Sequence, residues 1–236
     1  MSMMKTHKEI AGTPVASSHG LYIGLDLGQS RDYTALVILE KVWERGRADA
    51  RGNAMLAHYL RYAKRYPLGT PYPFVVEDVK ENYLNNGELF FEMYFPGYGQ
   101  YREKPRLIID ATGVGAAIRD EFEKGGIRRP TLRPVIITGG LDENYEKGTY
   151  RIPKSRLLEK MQVDAQFGLL KIAGGMDLLE TLKQELANVK PKMKPESAYL
   201  SYEEIREGVH DDLVLAAALA HWGAHRFRFY PPYMSF

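Results

Sequence analysis

The sequence contains no cysteine, which excludes a disulfide framework and a thiolate zinc site and makes a reducing cytoplasm the expected location. It also lacks any apolar run near the roughly 18–20 residues that span a bilayer, and Met1 to Gly20 has no hydrophobic signal region. A protein with no membrane partner is expected. Strong net charge is missing too: 32 Lys plus Arg against 30 Asp plus Glu leave +2, so the overall balance does not announce a nucleic-acid partner. No Gly-x-x-x-x-Gly-Lys-Ser/Thr phosphate loop occurs, which rules out a P-loop motor within these residues. Gly113-Val-Gly115 has Ile118 where a dinucleotide fingerprint needs its third glycine, and there is no internal repeat.

What is present is ordinary globular composition, 44% hydrophobic and 26% charged over 236 residues, enough for one α/β domain with its own core. Residues 1–20 read as a flexible leader, 21–225 as the domain and 226–236 as a tail. Leu21 to Asp26 reads as a buried strand, Gly28 to Asp32 as a turn, and Tyr33 to Val42 as the second arm of an antiparallel hairpin. A third strand is expected over Ala54 to Tyr62, and a helix from Pro71 to about Asn82. Arg106 to Asp110, Val114 to Lys124 and Leu132 to Thr138 then give strand, helix and strand, a parallel crossover. Helical spacing recurs behind Pro153, from Leu179 to Val189, and from Asp211 to about His225, where the residues are apolar almost all round and the helix is expected to be buried.

Three acidic positions stand at the ends of these buried elements. Asp26 closes the first strand, Asp110 closes the fourth, and Asp211-Asp212 opens the last helix, at spacings of 84 and 102 residues between Asp26, Asp110 and Asp212. Taken singly, each has a structural explanation: Asp26 could support the turn at Gly28, Asp110 could bond the amides of the Thr112-Gly113 turn, and Asp211 or Asp212 could cap a helix. Taken together they suggest a site, because ligands of open α/β sheets collect at strand carboxyl ends. Clustered carboxylates repel unless cations hold them, and an all-oxygen donor set suits Mg²⁺ or Mn²⁺. Two such cations would activate water and stabilise a leaving 3′ oxygen in phosphodiester hydrolysis.

Tyr22-Ile-Gly-Leu-Asp26 with Asp32-Tyr-Thr-Ala, then Leu107-Ile-Ile-Asp110-Ala-Thr-Gly-Val-Gly115, resembles the first two acidic motifs of the large terminase nuclease domain of tailed bacteriophages. His210-Asp-Asp-Leu-Val-Leu-Ala-Ala-Ala-Leu-Ala220 resembles the third, and Arg151-Ile-Pro-Lys154 followed by Gly168-Leu-Leu-Lys-Ile172 is similar to the segment between them. The resemblance spans residues 20–225. It implies a single-domain, ribonuclease H-like mixed sheet flanked by helices, and a metal-dependent endonuclease of double-stranded DNA acting in viral genome packaging. A separate packaging ATPase, a small terminase subunit or a portal would be its partners in the host cytoplasm.

The expected catalytic carboxylates are Asp26, Asp110 and Asp212, with Asp211 and Asp32 as further candidates for holding metal. Asp212 is preferred to Asp211 because helical spacing from it gives Ala216, Ala220 and Gly223, a stripe of small residues that lets the helix lie close to the sheet. The stripe from Asp211 is Leu215, Ala218 and Trp222, which suits packing on a neighbouring helix, and Asp211 itself would cap the helix or assist a metal. From Lys124 to Lys160 nine basic residues face four acidic ones, an excess of +5. Within that stretch Arg128, Arg129, Arg151, Lys154 and Arg156 are the candidate DNA contacts.

Two other activities fit part of the pattern. A Holliday-junction resolvase would share the fold and a similar acidic set. Ile23-Gly-Leu-Asp-Leu-Gly28 with Ser30 also resembles the first phosphate loop of sugar kinases and actin-like ATPases, although no second phosphate loop follows.

Overall fold

The computed structural model describes residues 15–28, 32–48, 54–85, 104–189, 192–193, 200–201 and 210–227. The first 14 residues of the expected leader, the tip of the Gly28 turn (29–31, with Ser30) and residues 228–236 of the expected tail lie outside them.

The elements run β1 (Val15–Asp26), β2 (Ala35–Ala48), β3 (Ala54–Arg65), α1 (Tyr72–Val79, continued by a π-helical turn over Lys80–Asn85), β4 (Arg106–Asp110) and α2 (Gly115–Lys124). They continue through β5 (Leu132–Thr138), β6 (Asn144–Glu146), β7 (Thr149–Pro153), α3 (Lys154–Gln166), β8 (Leu170–Ile172) and α4 (Leu179–Asn188). A two-residue pair, β9 (Lys192–Met193) and β10 (Leu200–Ser201), precedes the last helix, α5 (Asp212–Arg226). Eight strands form one mixed sheet in the order β6-β7-β5-β4-β1-β2-β3-β8. β1 is antiparallel to β2 and parallel to β4, while β4, β5 and β7 run parallel to one another. No described helix is long and apolar enough to cross a membrane.

Strand alternation divides the core into two layers. Leu21, Ile23 and Leu25 of β1, with Leu107 and Ile109 of β4, pack against Val75, Val79, Ile118 and Phe122 of α1 and α2. Tyr22 and Ile108 face the other way, into the layer that holds α3, α4 and α5. On this second face α5 lies directly on the sheet. A Cβ at Gly24 would sit 1.8 Å from the carbonyl oxygen of Ala216 and 2.8 Å from the amide of Ala220, and one at Gly223 would sit 2.5 Å from Ile108 Cδ1. Only glycine allows so close an approach of helix and strand, and the expected stripe of Ala216, Ala220 and Gly223 is the one that meets the sheet. Trp222, from the bulkier stripe, packs edge-on against Tyr150 of β7 at 5.0 Å and lines a groove with Arg156, Glu159 and Lys160 of α3.

Two expectations need correction. β1 begins at Val15, six residues before its apolar run. The extension pairs with β2 along its backbone, with register irregularities between Val15 and Ser17 and between Ser18 and Leu21. Strands β6, β7 and β8 are additions to the expected set. β6 is fully exposed, and the three-residue β8 is only partly buried, so neither carries an alternating pattern.

Candidate active site

The same alternation that sends Tyr22 and Ile108 toward α5 sends Asp26 and Asp110 there as well. Leu25 pairs with Ile109 across the parallel β1–β4 ladder, so the two aspartates follow at the carboxyl ends of neighbouring strands. Asp26 pairs with Ala35 on β2, and Ala35 pairs with Arg65 on β3, which places Arg65 at the same edge of the sheet. The N-terminus of α5 brings Asp211 and Asp212 to this edge.

Electrostatics tie the four acids together. Asp26 is buried and its carboxyl is pushed well above the usual range, first by loss of solvent and then by the charges of Asp110, Asp211 and Asp212, with Lys154 opposing. Burial also raises Asp110, against hydrogen bonds at the following turn, where Thr112 donates its amide to Oδ1 at 2.8 Å. Asp212 is raised by burial and lowered by Arg65, which grips it with two bonds, Nε to Oδ2 at 2.8 Å and Nη2 to Oδ1 at 3.1 Å. Lys154 pairs with Asp211 at 2.6 Å. The Gly28 amide donates to Thr34 Oγ1, so the turn has a hydrogen-bond acceptor other than Asp26.

The N-terminus of α5 is capped from outside. Neither Asp211 nor any other side chain at the N-cap position does so. Oε2 of Glu185, on α4, accepts the amides of Leu213 and Val214 at 3.0 and 3.2 Å, while its other oxygen meets Arg65. The capping role expected of Asp211 thus belongs to Glu185, while Asp211 pairs with Lys154. Burial and the neighbouring Asp212 push the Glu185 carboxyl up to about 7, with Arg65 pulling it back. Tyr33 lies 4.7 Å from the Arg65 guanidinium and meets the His210 ring edge-on at 5.0 Å.

Arg65 and Glu185 carry no sequence signal of their own, since Arg65 finds its acidic partners more than a hundred residues away. Asp32 is exposed and is not among the charges acting most strongly on Asp26. Of the basic candidates, Lys154 joins the acidic cluster itself. Arg128, Arg129, Arg151 and Arg156 are exposed, Arg129 bonding Tyr145 and the Gly148 carbonyl and Arg156 lying 3.8 Å from Glu159.

The cluster gathers the carboxyl groups of Asp26, Asp110, Asp211, Asp212 and Glu185 around two cationic side chains, Arg65 and Lys154. A buried excess of oxygen donors of this kind fits hard divalent cations.

No family model and no curated protein matches the chain. Among solved structures it is similar to the large terminase nuclease from the thermophilic phage G20c, at 19% identity over 88% of this chain and 86% of that one, with a TM-score of 0.49. The large terminase nuclease domain of bacteriophage SPP1 with bound Mn is similar at 16% identity, covering 85% and 84%, with a TM-score of 0.45. The human cytomegalovirus terminase nuclease domain, Mn soaked and inhibitor bound, is similar at 13% identity over 98% of this chain and 94% of that one, with a TM-score of 0.51. The chain therefore shares its fold, a ribonuclease H-like mixed sheet flanked by helices, with a terminase nuclease domain along nearly its whole length.

Proposed function

We propose that the protein is a metal-dependent endonuclease that hydrolyses double-stranded DNA, acting in viral genome packaging as terminase nucleases do. The observation that carries this reading is the convergence of Asp26, Asp110, Asp211 and Asp212 at one sheet edge, where Asp26 loses solvent and is crowded by like charge. Structural acids have no reason to gather so; acids that share divalent cations do.

Asp26, Asp110 and Asp212 are the proposed catalytic carboxylates, with Asp211 as a fourth oxygen donor. Bound there, two divalent cations, Mg²⁺ or Mn²⁺, would supply activation of water and neutralisation of charge on the leaving 3′ oxygen. Asp26 and Asp110 present their carboxylates from rigid strand ends. Arg65 and Glu185 hold Asp212 and the first turn of α5, and Arg65 uses one lone pair on each Asp212 oxygen, leaving others for a cation. Lys154 stands at the cluster and balances part of its charge. Exposed Arg128, Arg129, Arg151 and Arg156 would meet the phosphates of the duplex, fixing its position without reading sequence. Asp32 is a weaker candidate for supporting a second cation from the turn.

Incubation of supercoiled plasmid with the purified chain tests the proposal. Nicked and linear DNA in Mn²⁺ or Mg²⁺, none in EDTA, and ends that ligate directly because they carry 5′ phosphate and 3′ hydroxyl are the expected results. Intact plasmid under every metal condition would remove the nuclease reading, and cleavage confined to four-way junctions would favour a resolvase.

A further inference from the structure

Beyond the carboxylates, at the far end of α5, three of the chain's six histidines converge on one buried aspartate. His58 Nδ1, His221 Nε2 and His225 Nε2 lie 3.1, 2.9 and 2.7 Å from the same atom, Oδ2 of Asp164. The three rings pack with centroids 4.5–4.9 Å apart. His221 and His225 hydrogen-bond that oxygen, but His58 Nδ1 approaches it at an angle that makes no hydrogen bond. Among the described residues His58 Nε2 and His221 Nδ1 also have no hydrogen-bond partner, in side chains 2% and 0% exposed. Buried imidazole nitrogens are seldom left this way, and three rings aimed at one oxygen are a poor solution for a hydrogen-bonded core.

We propose that His58, Asp164, His221 and His225 form a second metal site, a closed centre of three imidazoles and one carboxylate that takes zinc and fastens β3, α3 and α5 together. The four donor atoms already lie within 4.8 Å of one another. Tetrahedral bonds of about 2.0–2.1 Å place donors roughly 3.3 Å apart, so small side-chain rotations close the site. His221 and His225 are one helical turn apart on the same face of α5, a spacing that lets two imidazoles reach one ion. Nitrogen-rich ligation selects zinc over the hard cations proposed for the carboxylates, and four protein ligands make the site structural.

The partly exposed His225 lines a groove with Glu159, Lys160 and Trp222, which supplies an entry path. The absence of cysteine excludes thiolate zinc chemistry only; imidazole can replace it.

The test uses the full chain, stripped with chelator and titrated with Co²⁺ as a spectroscopic stand-in for Zn²⁺. One equivalent should produce the intense visible bands of tetrahedral cobalt, displaced by Zn²⁺, unchanged in Asp26→Asn and lost in His225→Ala. Zn²⁺ in roughly hundredfold excess over its Kd should raise the Tm by roughly 5–10 °C. His225 is the partly exposed ligand, so its replacement is the least disruptive of the four. Should that variant fail to fold, the spectrum of Asp26→Asn decides alone. Weak octahedral bands only, or intense bands that survive His225→Ala, would overturn the proposal.

Discussion

The two ends of α5 solve the problem of buried charge in opposite ways. At the N-terminal end burial pushes the acids upward, joined at Asp26 by the charges of Asp110, Asp211 and Asp212, with Arg65 and Lys154 supplying only part of the compensation. At the C-terminal end one carboxylate is surrounded by imidazoles and is pulled downward. The first end is rich in hard oxygen donors and the second in nitrogen, although both sit on one helix against one sheet face. Proximity to a helix therefore does not dictate the chemistry. The side chains facing it from β1, β4, β3 and α3 do.

The largest effect on stability should come from breaking the compensation at the acidic end. Arg65→Leu strands the buried carboxyls of Asp212 and Glu185 and should cost about 3–5 kcal/mol in denaturant unfolding. A loss below about 1 kcal/mol would mean that the two acids simply take up protons and that the guanidinium matters little to folding.

Gly24→Ala is next, at about 1–3 kcal/mol, because its Cβ would overlap the Ala216 carbonyl and lift α5 off β1. It should weaken both ends of the helix together, reducing cleavage and cobalt binding in one variant. Loss of one with the other intact would show that the two ends are positioned independently.

A smaller effect separates the ends by pH in the metal-free protein. Glu185, raised to about 7, and the raised Asp26 bind protons more readily folded than unfolded, so stability rises as pH falls toward and below 7. His58, lowered to about 4, and His221, also lowered by burial, do the reverse: below about 6.5 the unfolded chain takes protons that the folded one refuses, and stability falls. Tm should climb by roughly 5 °C as pH falls from about 8 to 6.5 and level off below that, where the histidines oppose the carboxyls. A flat profile between about pH 5 and 8 would contradict the asymmetry.

Much of the acidic end was legible from sequence because a charge at the end of an apolar strand stands out. β4 and β5 run over the residues that their apolar runs predict, and Asp26 and Asp110 fall at the carboxyl ends of neighbouring strands. The small stripe of Ala216, Ala220 and Gly223 anticipated how α5 meets the sheet. Glu185 and Arg65 were not legible, since one of two acids on an amphipathic helix and an arginine ending a strand look like surface residues. The histidine end was hidden for a related reason. Its ligands come from β3, α3 and α5, and the His221–His225 spacing means little until Asp164 and His58 are folded against it. Local patterns reveal residues that are odd in their own element, whereas compensation between elements appears only in three dimensions.

If the acidic end is one metal-dependent hydrolytic centre, comparing the wild-type chain with Asp26→Asn on supercoiled plasmid in Mn²⁺, with melting curves run alongside, separates its chemistry from its folding. The variant should fold, melt at or above the wild-type temperature without metal because a buried and crowded charge is gone, and lose cleavage by about a thousandfold, on the order of 4 kcal/mol of barrier. A well-folded Asp26→Asn that cuts DNA as fast as the wild type would contradict that reading of the acidic end.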